Sequence, residues 1–318
     1  MGKAMLKVIV GLVIGAGLIG SSLAWRLAQR GVKVTLADSG RYFGECSWAG
    51  AGMLSPRGER FPDPGVWIQR AESSLAQYPA FVDELQRESG EVIDYCHCGA
   101  RERTPEGDRE FPEEAIVNPR DLGVALRDVL KQHGVQLHQY QGFQAIGGHE
   151  ADAIVVAAGA WSSQITVSGE SLPACVPVKG YLLGYDGLAP GSLGPVLREG
   201  HTYLLQRKDG FTIAGSTEER IGYDRSIDPA LVKDLHERAG RLWEPLARIQ
   251  PSRVWSGLRP ATESGQIYCE RWKQTNVWLA YGFFRNGILL APWTADPLAG
   301  QIVSASSETG SPATAGSL

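Results

Sequence analysis

An α/β fold in two lobes that exchange chain segments is predicted for this chain, and three observations predict it. Residues 7–14, "KVIVGLVI", are an apolar β-rich run. They lead through "GAGLIG" into the helical spacing of "SSLAWRLAQRG" and on to a second apolar run, "VKVTLAD", which makes one βαβ unit. Residues 174–217 are β-rich, with "VKGYLLGY", "TYLLQRK" and "GFTIAGST" bounded by glycine and aspartate turns. Near the end, the strand-like "VWLAYGFF" (277–284) precedes a helix that begins in "NGILLAPWTADPLAGQIVSA". No linker separates these regions, so the lobes are expected to interleave.

The remaining elements follow in order. In the first helix Leu23, Ala24 and Leu27 share a face and Gly31 is the stop. Residues 66–89 carry apolar side chains at helical intervals, with a break expected at Pro79. Residues 119–133 read as a helix capped by Asn118 with Pro119 in its first turn. "ADAIVVAAGAW" (151–161) is a buried strand running into a glycine turn, and residues 229–249 are helical. The tail, taken as 303–318, ends in small and polar residues and is expected to be disordered.

Composition narrows the function classes. The chain has 318 residues, 43% of them hydrophobic, enough for a sizeable core. Its formal net charge of −4 gives no reason to expect nucleic acid as a partner. Glycines break the first apolar run, so neither a signal peptide nor a membrane span is expected. Five scattered cysteines suggest reduced thiols and a cytoplasmic setting. Cys96-His97-Cys98 is too tightly spaced for a usual zinc site and no second pair follows it, so no metal is expected.

Gly15, Gly17 and Gly20 form GxGxxG between the first strand and first helix. Such glycines allow a tight turn, close approach of a pyrophosphate, and close helix–strand packing. The helix N-terminus then presents partial positive charge to the phosphates. Asp38 ends the second strand, where a carboxylate would accept ribose hydroxyls. The fingerprint fits FAD and NAD equally, because both carry an ADP half. Two further small-residue turns, "SWAGAGMLSP" (47–56) and "AIVVAAGAWS", suit a longer cofactor. Arg285, in "YGFFRNGILLAP", places one charge in an apolar run and so calls for an anion.

These words, with "VPVKGYLL", "HTYLLQRKDGFTIAGSTEE", "SGLRPAT" and "FRNGILLAP", stand in an order that resembles the FAD-dependent D-amino-acid oxidase superfamily, most of all the glycine oxidases of the thiamine-biosynthesis type. The resemblance implies a Rossmann-like FAD-binding lobe (1–75, 118–168 and 252–302) with an interleaved α+β substrate lobe (76–117 and 169–251). It implies FAD contacts from Gly15, Gly17, Leu18, Ile19, Gly20, Asp38, Ser39, Ser47, Ala51, Gly52, Met53, Ala158, Gly159 and Trp161. The last turn would add Arg285, Asn286, Gly287, Ile288 and Leu289. Two stretches look shorter than usual for the family, near 99–110 and 143–152.

The chemistry implied by the resemblance is removal of a hydride from the carbon bearing an amine to flavin N5, giving an imine that water hydrolyses. Dioxygen would accept the electrons and form hydrogen peroxide. Arg259 would clamp a substrate carboxylate with its planar fork. Tyr203 would assist it, and His201 would lie near the amine. Arg285 would favour the neutral amine by like-charge repulsion. Met53 and Phe283 would line the substrate pocket, Phe283 standing where a histidine is common in the family. Implied substrates are glycine, sarcosine or small D-amino acids; implied partners are a thiazole synthase and further copies of the chain in a tetramer. A dehydrogenase passing electrons to a quinone or carrier, and a flavin-binding protein without activity, remain the alternatives.

Overall fold

The computed structural model describes residues 9–58, 61, 63–140, 145–146 and 151–308. A six-stranded sheet organises the first lobe, in the order Tyr268–Arg271, Val277–Tyr281, Ala153–Val156, Val10–Ile14, Lys33–Asp38, Gln136–Gln139. The last five are parallel and the first is an antiparallel edge. Three of the strands, Val10–Ile14, Ala153–Val156 and Val277–Tyr281, are continuous apolar runs because both faces of the sheet are covered: helices pack on one face, and Ile146, Ile165, Val167, Leu172 and Cys175 lie against the other. From Val10–Ile14 the chain moves to Lys33–Asp38 on one side, and Ala153–Val156 fills the other side. That is a topological switch point, and a crevice opens beyond the carboxyl ends of the two strands.

The helices, in chain order, are α1 (Leu18–Gln29), α2 (Glu45–Ala49), α3 (Pro64–Ser89), α4 (Pro119–Gln132), α5 (Pro229–Leu242) and α6 (Ala291–Glu308). Helix α4 starts as predicted: Asn118 accepts the Arg120 N–H at 3.2 Å and Pro119 occupies the first turn. Helix α3 is capped by Asp63 and stopped by Gly90, at φ 77°.

Three expectations need correction. Helix α3 runs through Pro79 without a break. Pro79 lies on the exposed face, so the carbonyl left without a donor is on the solvent side, while Tyr78, Phe81, Val82 and Leu85 stay buried on the other. The expected helix over 229–249 ends at Leu242, and a short 3-10 turn follows at Glu244–Arg248. Trp243 is extended, at φ −144° and ψ 106°, and so separates the helix from the turn, in which Pro245 takes an early position where its missing N–H costs no hydrogen bond. The expected tail is helical in its first part: α6 continues to Glu308, with Ile302 and Ser306 buried, and residues 309–318 lie outside the described residues.

The lobes also divide differently from the expected boundaries. The boundary at 75 falls inside α3, whose second half packs in one core with α1, α4 and α6. Strand Arg253–Thr262, expected in the first lobe, belongs to the second. There it begins a seven-stranded sheet that continues through Cys175–Tyr185, Thr212–Gly215, Thr202–Gln206, Val196–Glu199, Ala100–Arg103 and Arg109–Phe111. It pairs with Cys175–Tyr185 along ten residue pairs, so backbone bonding outweighs its closeness in sequence to the first lobe. The stretch near 99–110 is a short hairpin at the far edge of this sheet. Of the stretch near 143–152, Ala145–Ile146 pairs with Thr166–Val167, while 147–150 lie outside the described residues.

Candidate active site

A cavity of about 480 Å³ fills the crevice at the switch point and extends under the seven-stranded sheet. Its first end is made of backbone. Gly15 sits at φ +108°, donates its N–H to Ala37 O at 2.7 Å, and has no room for a Cβ against Ala157 O. A Cβ on Gly20 would overlap Gly15 O, so this glycine serves close packing of α1 on the turn and does not itself line the cavity. Asp38 lines it, and its carboxylate braces the turn by accepting Ala16 N–H at 2.6 Å and Gly40 N–H at 2.8 Å. Ser47 Oγ accepts the Leu18 N–H at 2.9 Å, taking one of the amides that α1 leaves without an internal partner. Leu18, Ile19 and Ser39 complete this end.

The middle is narrow because its walls are small. Gly52, at φ +84°, packs against Val117 O where no side chain fits, and Gly257 leaves room for Ala49. Trp255 Nε1 donates to Ala49 O at 2.9 Å, and the Arg207 guanidinium donates to Ala51 O. Opposite, Ala158, Gly159 and Trp161 form the second small-residue turn.

Side chains converge at the far end. Arg259 stands opposite Val178, two positions from the Gly180–Gly257 pair. Its guanidinium occupies the space above Gly180 that a Cβ would fill, and Nη1 donates to Thr217 O at 3.1 Å. Tyr203 lines the cavity across the sheet, its ring seated where Gly215 lacks a side chain. The turn carrying Arg285 is tied to the same strand, because Phe284 N–H donates to Pro260 O at 2.8 Å. Helix α3 holds the turn from behind. Tyr78 OH donates to Ile288 O at 2.5 Å and Ser74 Oγ to Leu289 O at 2.6 Å. Arg285, Gly287 and Ile288 face the cavity, whereas Asn286 and Leu289 are buried behind the turn and do not line it. Met53 and Phe283 also line the cavity.

His201 is not brought there. It lies exposed on the turn before its strand, which begins only at Thr202, and its carbonyl accepts the Ser216 N–H at 3.3 Å. His201, expected near the amine, does not line the cavity. Sequence reasoning missed Cys46, Gln164, Ser216 and Arg225 in the lining. Burial pushes the Cys46 thiol up, opposed by the nearby Arg259 charge, so the thiol is neutral at physiological pH. Arg225 Nη2 lies 2.6 Å from Glu45 Oε2, and Tyr223 OH donates to Ala160 O at 2.8 Å. Together they fasten a loop of the second lobe across the mouth. No pattern in the sequence links Arg225 to Glu45.

A glycine turn at a sheet switch point, opening onto a cavity roofed by a second sheet that carries a guanidinium, defines a dinucleotide-dependent oxidoreductase. The cradle at Gly15 and Gly17, where a Cβ would collide with neighbouring atoms, fits a cofactor pyrophosphate, and the small-walled middle fits its continuation towards Arg259. Comparison with known proteins agrees. The model of the FAD dependent oxidoreductase family, DAO, matches residues 12–102 and 100–301. The glycine oxidase of Pseudomonas aeruginosa is 32% identical over 88% of this chain and 91% of its own length. The bifunctional protein ThiO/ThiG of Synechocystis sp. is 31% identical over 89% of this chain, which spans about 50% of that longer protein. The crystal structure of glycine oxidase from Geobacillus kaustophilus superimposes with a TM-score of 0.83 at 25% identity, covering 95% of each chain. The chain belongs to the DAO family of FAD-dependent oxidoreductases, and its cofactor is FAD. Among the described residues no helix is long and apolar enough to cross a membrane.

Proposed function

We propose that the protein is an amino-acid oxidase of the glycine oxidase type, acting on glycine, sarcosine or small D-amino acids. One observation carries the reading: Arg259 is held over Gly180 at the end of the cavity away from the glycine turn, with Tyr203 beside the same space. Among the described residues its only hydrogen bond is to Thr217 O. Its planar fork keeps further N–H groups for a carboxylate.

In this reading Arg259 binds the carboxylate and Tyr203 donates its hydroxyl to it. The α-carbon is thereby fixed in one orientation, and positioning carries the catalysis. Arg285 places positive charge near the substrate and lowers the pKa of the amine, so the neutral form is available. Phe283, Leu182 and Met53 keep water from the reacting carbon. Bound FAD supplies the acceptor for the two electrons and the hydrogen lost from the α-carbon, and dioxygen restores it with release of peroxide. Backbone N–H groups at Gly287 and Ile288, on the turn that α3 holds by its carbonyls, would serve as donors to that acceptor. The imine product then hydrolyses, or passes to a thiazole-forming partner in the cytoplasm. A fused second half in ThiO/ThiG, beyond the matched 50%, supports the handover.

The test is a peroxide assay of the flavin-loaded protein with glycine, sarcosine, D-alanine, D-proline and larger N-alkyl glycines. Turnover with at least one, with matching oxygen consumption, is expected. Reduction of the flavin without oxygen consumption would point instead to a dehydrogenase, and no reduction by any amino acid would refute the proposal.

A further inference from the structure

Behind the small-residue loop lies a second cavity, of about 380 Å³, and Gly50 lines both. Its wall is mostly charged, with four aspartates facing four arginine and lysine residues. Some of these charges already have partners. Arg253 Nη2 is 3.9 Å from Asp186 Oδ2, and Lys208 Nζ is 3.8 Å from Asp94 Oδ1. Arg120 and Arg207 have no carboxylate at ion-pair distance among the described residues.

Arg207 is 6% exposed. Its Nη2 donates to Ala51 O, while Nη1 is buried with no hydrogen-bond partner. Burial pushes its pKa down to about 10, and Asp94 is near enough to oppose that shift. Asp94 Oδ1 in turn is buried and receives no hydrogen bond, although Oδ2 accepts the Lys208 N–H at 3.2 Å. Arg120 lies against Trp48, 4.1 Å from the ring centre, and faces Trp255 at 5.3 Å. A buried charged donor and a buried charged acceptor thus border one cavity, each lacking a bond.

A simple anion would serve Arg207 and be repelled by Asp94; a simple cation would do the reverse. With equal numbers of each sign in the wall, neither gains much from the field as a whole. A molecule with a carboxylate and an ammonium on one carbon satisfies both groups. We propose that this cavity is a second ligand site that takes the zwitterionic head of a small amino acid, with its carboxylate on Arg207 and Arg120 and its ammonium on Asp94. The site meets the first cavity at the loop: Arg207 holds Ala51 O, and Arg120 Nε reaches Trp48 O at 3.5 Å.

Calorimetry on the flavin-loaded Arg259→Ala variant tests this with the first cavity's guanidinium removed. The probes are glycine, L-alanine, acetate, methylammonium and inorganic phosphate. Glycine or L-alanine should bind at one saturable site, at least about tenfold tighter than acetate or methylammonium, the loss expected for one charge-assisted bond. Adding Asp94→Asn or Arg120→Gln should weaken amino-acid binding by about tenfold or more while the flavin content stays constant. Arg207→Lys, which retains charge at the buried position, should weaken it similarly. Phosphate or acetate binding as tightly as glycine would make this an anion pocket and overturn the proposal. So would amino-acid binding that is indifferent to Asp94→Asn, or no binding of any probe, the result for a cavity holding only water.

Discussion

At the glycine end of the main cavity the wall is backbone; at the arginine end it is side chains. Gly15, Gly17 and Asp38 lie within one βαβ unit, and their geometry follows from strand, turn and helix in direct succession. Arg259, Tyr203 and Arg285 come from two sheet strands and a turn, brought together by the pairing of Cys175–Tyr185 with its neighbours and by the Phe284–Pro260 hydrogen bond. A backbone-built site fails by steric collision and is lost with the fold. A side-chain-built site can lose a group and leave the fold and the cofactor in place.

Substitutions in the backbone-built and side-chain-built parts of the cavity should separate these behaviours. The largest effect is expected at Gly52, where φ is +84° and a Cβ would collide with Val117 O. Gly52→Ala should cost about 2–5 kcal/mol from strain and overpacking. A lowered Tm and a fall in flavin absorbance per mole of protein would show it; retention of both would mean that the loop can shift aside. Next comes Arg259→Ala. Losing two charge-assisted bonds of about 1.5–3 kcal/mol each should lower kcat/KM for carboxylated amines by about 100-fold or more, with flavin content unchanged. If the flavin were lost as well, the two ends would not be independent. Tyr203→Phe removes one hydroxyl bond to the charged carboxylate, about 1.5–3 kcal/mol, and should reduce kcat/KM by about tenfold or somewhat more, seen mainly in KM. The smallest change is expected for Arg225→Ala. Its ion pair with Glu45 is half exposed, at 53% and 43%, and such pairs contribute about 0–1 kcal/mol. Steady-state rates should move by fivefold at most, and a larger fall would give the strap across the mouth a role in binding.

The same contrast governs what was legible in the sequence. The βαβ unit, the glycine turn, the Asn118 cap and the β-rich middle could be read because each is set by neighbours in the chain. Arg259 and Arg285 were found through their setting in family words, and both line the cavity. His201, which the resemblance puts near the amine, falls on an exposed turn because the strand begins one residue later. The break at Pro79 did not occur because the lost hydrogen bond faces solvent while the opposite face of α3 is fully packed. Arg225, Cys46 and the Arg120–Arg207 cavity had no local signal, since their partners lie on distant segments.

By itself the sequence determined the first lobe's parallel sheet, the position of its phosphate-facing turn and the apolar faces of its helices. Those depend on periodicity, on glycine's freedom at positive φ, and on capping, all of them properties of contiguous residues. Only the tertiary structure decided which lobe owns Arg253–Thr262, which charges meet above Gly180, and which are left facing each other behind Gly50. Such contacts arise when remote strands pair in one register, and a one-residue shift in that register would turn Arg259 away from the cavity.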